Sequence, residues 1–169
     1  MTQPRVTLGG VPIVLHAGAP VQSYEPMGGV STVRLHGGAA VKLRHWRRTA
    51  ITISGTGWMN PGLDGLDYDS ALELRCTHPQ SITSASTTIA MTGTPRPDVA
   101  SWAHALVDGQ WVPTPCSVTD GVATLTPVTG AELYQVAWMP VFMVFMEKPP
   151  AGLDAGTGAY SWTITAEEV

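Results

Sequence analysis

Four glycine-centred turn signals do most to limit what this chain can fold into. Gly9-Gly10 stands between residues 5–8 and 12–15, and Gly37-Gly38 between residues 30–35 and 40–46. Asp108-Gly109 and Asp120-Gly121 each interrupt an apolar stretch, between Val107 and Trp111 and between Val118 and Val122. Tight hairpin turns place residues at positive φ, which Gly and Asp tolerate and most others resist. A chain punctuated in this way pairs neighbouring segments antiparallel.

The segments between the turns carry the matching period of two. Thr49, Ile51 and Ile53 alternate with Ala50, Thr52 and Ser54, and Leu72, Leu74 and Cys76 alternate with Glu73 and Arg75. Successive side chains of a strand point to opposite faces, so each segment can bury one face. Residues 87–91, 122–126 and 133–138 read as further strands. The apolar run 141–146 is placed inside the sheet stack or in a subunit interface. Residues 160–164 close the set, with Tyr160, Trp162 and Ile164 on one face. One segment competes: Val99, Trp102, Ala103, Leu106 and Val107 have helical spacing behind Asp98, a residue suited to a helix start.

The sequence therefore predicts a mostly β fold, a β-sandwich or barrel-like arrangement of about ten short strands, with at most one short helix near 98–107. It is read as a single β-rich domain over 1–169, with long loops at 24–29, 55–65 and 148–158. Pro95-Arg96-Pro97 reads as a break between two lobes, not as a domain boundary. No run of about 18 uncharged apolar residues points to a membrane-spanning helix, and residues 1–12 do not have the pattern of a secretory signal.

Charge is divided unevenly. Residues 1–48 carry six cations and one acid, whereas residues 49–169 carry three cations and twelve acids; the whole chain stands at −4. Seven of the nine cations are Arg, the cation favoured at interfaces for its planar, two-pronged pairing with carboxylates. Charged residues are only 13% of the chain, low for a protein whose surface faces only water. An acidic chain with one basic stretch is better read as pairing oppositely charged faces than as a nucleic-acid domain, which is usually basic throughout. Arg44, Arg47 and Arg48 on one side, and Asp64, Asp67 and Asp69 on the other, are the candidate intersubunit contacts. Trp58, in a Gly/Pro-rich stretch, is the candidate apolar anchor.

Candidate chemistry is sparse. The three acids of residues 64–69 lack the ligand spacing of a calcium loop and read as turn acids. The five histidines are scattered, and there is no nucleophile elbow, His-Glu-x-x-His or phosphate loop. Gly55-Thr56-Gly57 and Gly156-Thr157-Gly158 do not open helices, so neither is a phosphate cradle. Cys76 and Cys116 lack zinc spacing and read as reduced, buried thiols. No catalytic residue, metal or cofactor is expected. Six Trp and four Tyr leave a carbohydrate-binding module open as an alternative, although core packing is the expectation for at least four of the Trp. A small β-rich hydrolase is a third reading. Met139, Phe142, Met143, Phe145 and Met146 form adaptable packing material, for a core or for a subunit contact.

The segment 46–58, Trp-Arg-Arg-Thr-Ala-Ile-Thr-Ile-Ser-Gly-Thr-Gly-Trp, runs into Pro61-Gly62-Leu63-Asp64-Gly65-Leu66-Asp67-Tyr68 and then the strand 72–76. With the opening 8–13 and the ending 160–168, it resembles the small tail proteins of bacteriophages with long, non-contractile tails. Within that group the chain is most similar to distal tail or tail-tip proteins of the baseplate. The resemblance implies a β-sandwich virion subunit in a homo-oligomeric ring, a hexamer, which joins the tail tube to the baseplate hub. It implies tube, hub and tape-measure proteins as partners, with no membrane and no sequence-specific nucleic acid. Assembly would take place in the bacterial host cytoplasm, with the protein ending in the virion tail, and with no cofactor and no catalysis. Another tail ring, of the tube or the terminator, is the related alternative. At 169 residues the chain is expected not to hold the second, carbohydrate-binding domain that many distal tail proteins carry.

Overall fold

The structure is a computed structural model and is described here over residues 3–169. Its strands in chain order begin with β1 (Thr7–Leu8), β2 (Val11–Pro12), β3 (Val21–Met27), β4 (Val30–Arg34), β5 (Ala40–Arg44) and β6 (Arg48–Gly57). They continue with β7 (Leu72–Arg75), β8 (Gln80–Ser84), β9 (Thr88–Ala90), β10 (Trp102–Val107), β11 (Gln110–Thr114) and β12 (Cys116–Thr119). The last are β13 (Val122–Leu125), β14 (Ala131–Trp138), β15 (Val141–Met146), β16 (Ala151–Asp154) and β17 (Ala159–Glu168). A three-residue 3-10 turn at Leu15–Ala17 is the one helical element among the described residues. The fold is mostly β, built from several antiparallel sheets, and among the described residues no helix is long and apolar enough to cross a membrane.

The chain divides into two compact units. The first takes residues 1–12 and 73–142, and the second takes 13–72 and 143–169. Pro95, Arg96 and Pro97 all lie inside the first unit, so the two units do not part there.

In the first unit, a four-stranded sheet β11-β10-β14-β8 faces a three-stranded sheet β12-β13-β9. Both Asp-Gly turns form as expected: Asp108 and Gly109 have φ of 49° and 76°, and Asp120 and Gly121 have 49° and 75°. Between the sheets lie Ala103, Ala105, Tyr134, Val136 and Trp138 from one side and Ile89, Ala123 and Leu125 from the other. The period of two in β10 and β13 supplies this core directly. Of the two readings of residues 98–107, the strand holds and the competing short helix does not form; β10 occupies 102–107. Its helical spacing arises from a strand that buries Ala103 and Ala105 and half-buries its other residues. The Asp108-Gly109 turn pairs it along its length with β11, and pairing decides over local periodicity.

Arg96 staples three segments of this unit. It is 2% exposed. Its Nε and NH2 donate to the two carboxylate oxygens of Asp98, each at 2.8 Å. Its NH1 donates to the carbonyls of Arg5 at 2.9 Å and Cys76 at 3.0 Å. Arg75 stands 3.6 Å from the same carboxylate. The hydrogen bonds from Arg96, and after them the charges of Arg96 and Arg75, hold the Asp98 carboxyl below its ordinary pKa. Cys76 and Cys116 are both free thiols. Cys116 is half-buried rather than buried, and burial pushes its pKa up.

In the second unit, β17 runs between β6 on one edge and β16 followed by β15 on the other, and β3 extends the sheet beyond β6. Ile51, Ile53, Val144, Met146, Trp162, Ile164 and Ala166 are buried, so β17 uses the face the sequence assigned to it. The 3-10 turn packs on the same strands. The Trp162 Nε1–H donates to the Ala17 carbonyl at 2.7 Å. A Cβ at Gly55 would stand 2.5 Å from the Trp162 ring, and one at Gly57 would stand 2.4 Å from the backbone of residues 16 and 17. Gly55-Thr56-Gly57 is therefore a close-packing element, which explains its glycines without a ligand.

All three expected loops contain strand. Residues 24–27 end β3, residues 55–57 end β6, and residues 151–154 form β16. Among the described residues there are thus seventeen strands rather than about ten. Glycine and proline suggested loops, but edge and hairpin strands tolerate both. Among the tryptophans, Trp138 and Trp162 are buried and Trp102 is half-buried, while Trp46, Trp58 and Trp111 are exposed. The expectation of four core tryptophans fails because Trp46 lies in the connection between β5 and β6 and Trp111 lies on an exposed position of β11.

Candidate assembly surface

Strands β4 and β5 form a two-stranded sheet of their own. The register pairs Val30 with Arg44, Ser31 with Leu43, Thr32 with Lys42, Val33 with Val41 and Arg34 with Ala40. Gly37 and Gly38 turn the chain at φ of 90° and 84°. All five residues of each strand are exposed. The pleat sorts the side chains into two faces. Arg34, Lys42 and Arg44 share one face, and Val33, Val41 and Leu43 share the other.

No acid occurs between Glu25 and Asp64, so the arm and its base carry Arg34, Lys42, Arg44, Arg47 and Arg48 with no compensating charge of their own. Among the described residues, no ion pair involves any of the five. Arg34 donates to the Gly38 carbonyl at 3.1 Å, which closes the arm's tip. Arg48 is directed to the carbonyls of Val169 and Arg47. Lys42, Arg44 and Arg47 instead line a hollow of about 300 Å³ at the arm's base, together with Met27, Val30 and Trp46. The hollow combines cations with aliphatic and indole walls, a composition suited to an acidic, partly apolar protein surface.

The predicted acidic group resolves differently. Asp64 Oδ1 is 2.9 Å from Lys148 Nζ, which raises the Lys148 pKa. Asp67 accepts from the Asp69 backbone N–H at 3.1 Å and the Ser70 hydroxyl at 2.9 Å. These two acids thus already serve their own chain, and Asp69 is exposed. Tyr68 between them donates its hydroxyl to the Leu63 carbonyl at 2.7 Å. Its pKa is raised, first by burial and then by the charge of Asp64. The structure brings together neither the whole acidic group as one open patch nor that group with the arginines.

Trp58 is 65% exposed. The His16 ring lies 4.8 Å away, centroid to centroid, at 50°. Leu15 and Met59 beside them are also exposed. Trp58 is thus a braced, outward aromatic, as an anchor would need to be.

A further surface was only partly visible in the sequence. Strand β15 buries Phe142, Val144 and Met146 and exposes Met143 and Phe145. Phe145 pairs with Glu167, Glu167 with Ala50, and Ala50 with Glu25, a row across four strands. Tyr68, Phe145, Met146, Glu147, Thr165 and Glu167 line a groove of about 470 Å³ there. The run 141–146 signalled a contact, but its acidic neighbours come from β17 and β3, which are distant in the chain. Lys42 and the apolar face of the arm were missed as well. The alternation of Val33 and Leu35 with Arg34, and of Val41 and Leu43 with Lys42 and Arg44, would have revealed them.

Among the described residues, no group of three or more His, Cys, Asp or Glu is placed to hold a metal ion. No family model matches the chain. No match among curated proteins is found either.

Proposed function

We propose that the protein is a structural subunit that acts by assembling with copies of itself. In this reading it forms a ring in the tail of a bacteriophage with a long, non-contractile tail, at the distal or tip end beside the baseplate. The observation that carries the self-assembly reading is the β4–β5 arm. An isolated two-stranded hairpin is marginally stable in water, and its open edges and apolar face invite pairing with another chain. Val33, Val41 and Leu43 are 46%, 38% and 44% exposed. A partner surface that covers them gives the arm what its own chain does not. The tail assignment rests on the resemblance of residues 46–76 and of the two ends.

The test is the mass of the purified chain across concentration, followed by electron microscopy of negatively stained particles. Closed rings of about six copies are the expected product, since a head-to-tail contact closes when its rotation divides the circle. A strict monomer that binds glycans, with a change in tryptophan fluorescence, would replace this reading with a carbohydrate-binding module. Exposed Trp58, braced by His16, supports that second reading.

A further inference from the structure

We infer that the arm of one copy seats in the Phe145–Glu167 groove of a second copy. The inference rests on the self-assembly reading above and names the surface that receives the arm.

Charge is the first argument. Lys42, Arg44 and Arg47 have no ion-pair partner among the described residues, and neither do Glu25, Glu147 and Glu167. Lys148, which follows Glu147 in the chain, is held by Asp64. Asp64 and Asp67 serve their own chain, so the glutamates of the groove are the more available partners.

Apolar matching is the second. Phe145 is 52% exposed, and Ala50 lies between Glu167 and Glu25 in the row beside it. Val33, Val41 and Leu43 can lie on this strip. The long Lys and Arg stems reach round the ribbon's edges to the carboxylates, burying their methylenes on the way. A nucleic acid would satisfy the cations but leave the apolar face in water, so a protein surface fits the arm better.

Dimensions are the third. A five-residue strand spans about 17 Å, and four strands spaced about 4.8 Å apart present a strip about 14 Å across. Arm and strip therefore match in length. Because donor and acceptor are different surfaces, the contact is heterologous and propagates from copy to copy.

A reciprocal charge swap tests the pairing. Lys42→Glu with Arg44→Glu reverses the arm, and Glu147→Lys with Glu167→Lys reverses the groove. Each variant alone is expected to raise the dissociation constant for self-association about 100-fold, because like charges then meet. An equimolar mixture is expected to return to within about tenfold of the wild type, since each arm then meets an opposite groove. Glu147→Gln with Glu167→Gln, which preserves shape, should weaken association about tenfold and guards against a misfolded groove variant. Wild-type association with no response to the swaps, or a mixture that stays dissociated, overturns the arm–groove pairing and leaves self-assembly standing. A wild type that stays monomeric at every concentration overturns both.

Discussion

The sandwich of the first unit and the arm of the second are built from the same local instruction and end in opposite states. Each is a set of hairpins with period-two alternation about a tight turn. In the sandwich, Ala105 of β10 and Ala123 of β13 find a facing sheet and are fully buried. In the arm, Val33, Val41 and Leu43 alternate just as regularly and remain in solvent. Alternation sets which residues share a face; it does not say whether the chain supplies a second layer to cover that face. Where the chain does not, the face stays exposed, and our proposal is that a second copy covers it.

The contrast predicts large folding effects in the sandwich and small ones in the arm. Trp138→Ala, which empties the largest fully buried side chain of that core, should cost about 3–5 kcal/mol in urea unfolding. Arg96→Ala should cost about 2–3 kcal/mol, because it leaves the Arg5 and Cys76 carbonyls and the Asp98 carboxylate without their donor. Loss below about 1 kcal/mol would mean that water replaces Arg96 readily and that the staple is dispensable.

Gly55→Ala should cost about 1–3 kcal/mol, since its methyl must displace the Trp162 ring. A blue shift or red shift in tryptophan emission would accompany the displacement, and an unchanged melting temperature with unchanged emission would disprove the close packing.

Acid should weaken the protein through Asp98. Its native pKa lies below its unfolded value of about 3.9, so its contribution is full above that pH and is lost as pH falls through the native value. Asp98→Asn should flatten this acid limb of the stability profile. The smallest folding effect belongs to the arm: Val41→Ser with Leu43→Ser should change the stability of the monomer by less than about 0.5 kcal/mol, because both side chains lie on an exposed strand outside either core.

What the sequence made legible follows the same division. The Asp-Gly turns, the faces of β6, β7 and β17, and the span of β15 could all be read because each is decided within a few residues. The strand at 102–107 stayed open between two readings because its spacing suits both periods and only pairing with β11 and β14 decides between them. Strand β16 was hidden by Pro149, Pro150 and Gly152, although an edge strand accepts such residues. Of the candidate contacts, the exposed Arg44 and Arg47 and the outward Trp58 were visible as a basic run and an aromatic in a turn-rich stretch. That Asp64 would bind Lys148, or that Glu25, Ala50, Glu167 and Phe145 would align, depends on strand register between distant segments. No local pattern carries that information.

The most direct test of the central claim, that the arm serves assembly and not folding, is sedimentation velocity of the wild type beside Val33→Ser/Val41→Ser/Leu43→Ser, with thermal melts of both. The account predicts a wild type that sediments as a closed oligomer and a variant that sediments as a monomer and still melts cooperatively, its midpoint lower only by what assembly adds to the wild type. A variant that assembles like the wild type, or that loses its fold along with its assembly, would contradict it.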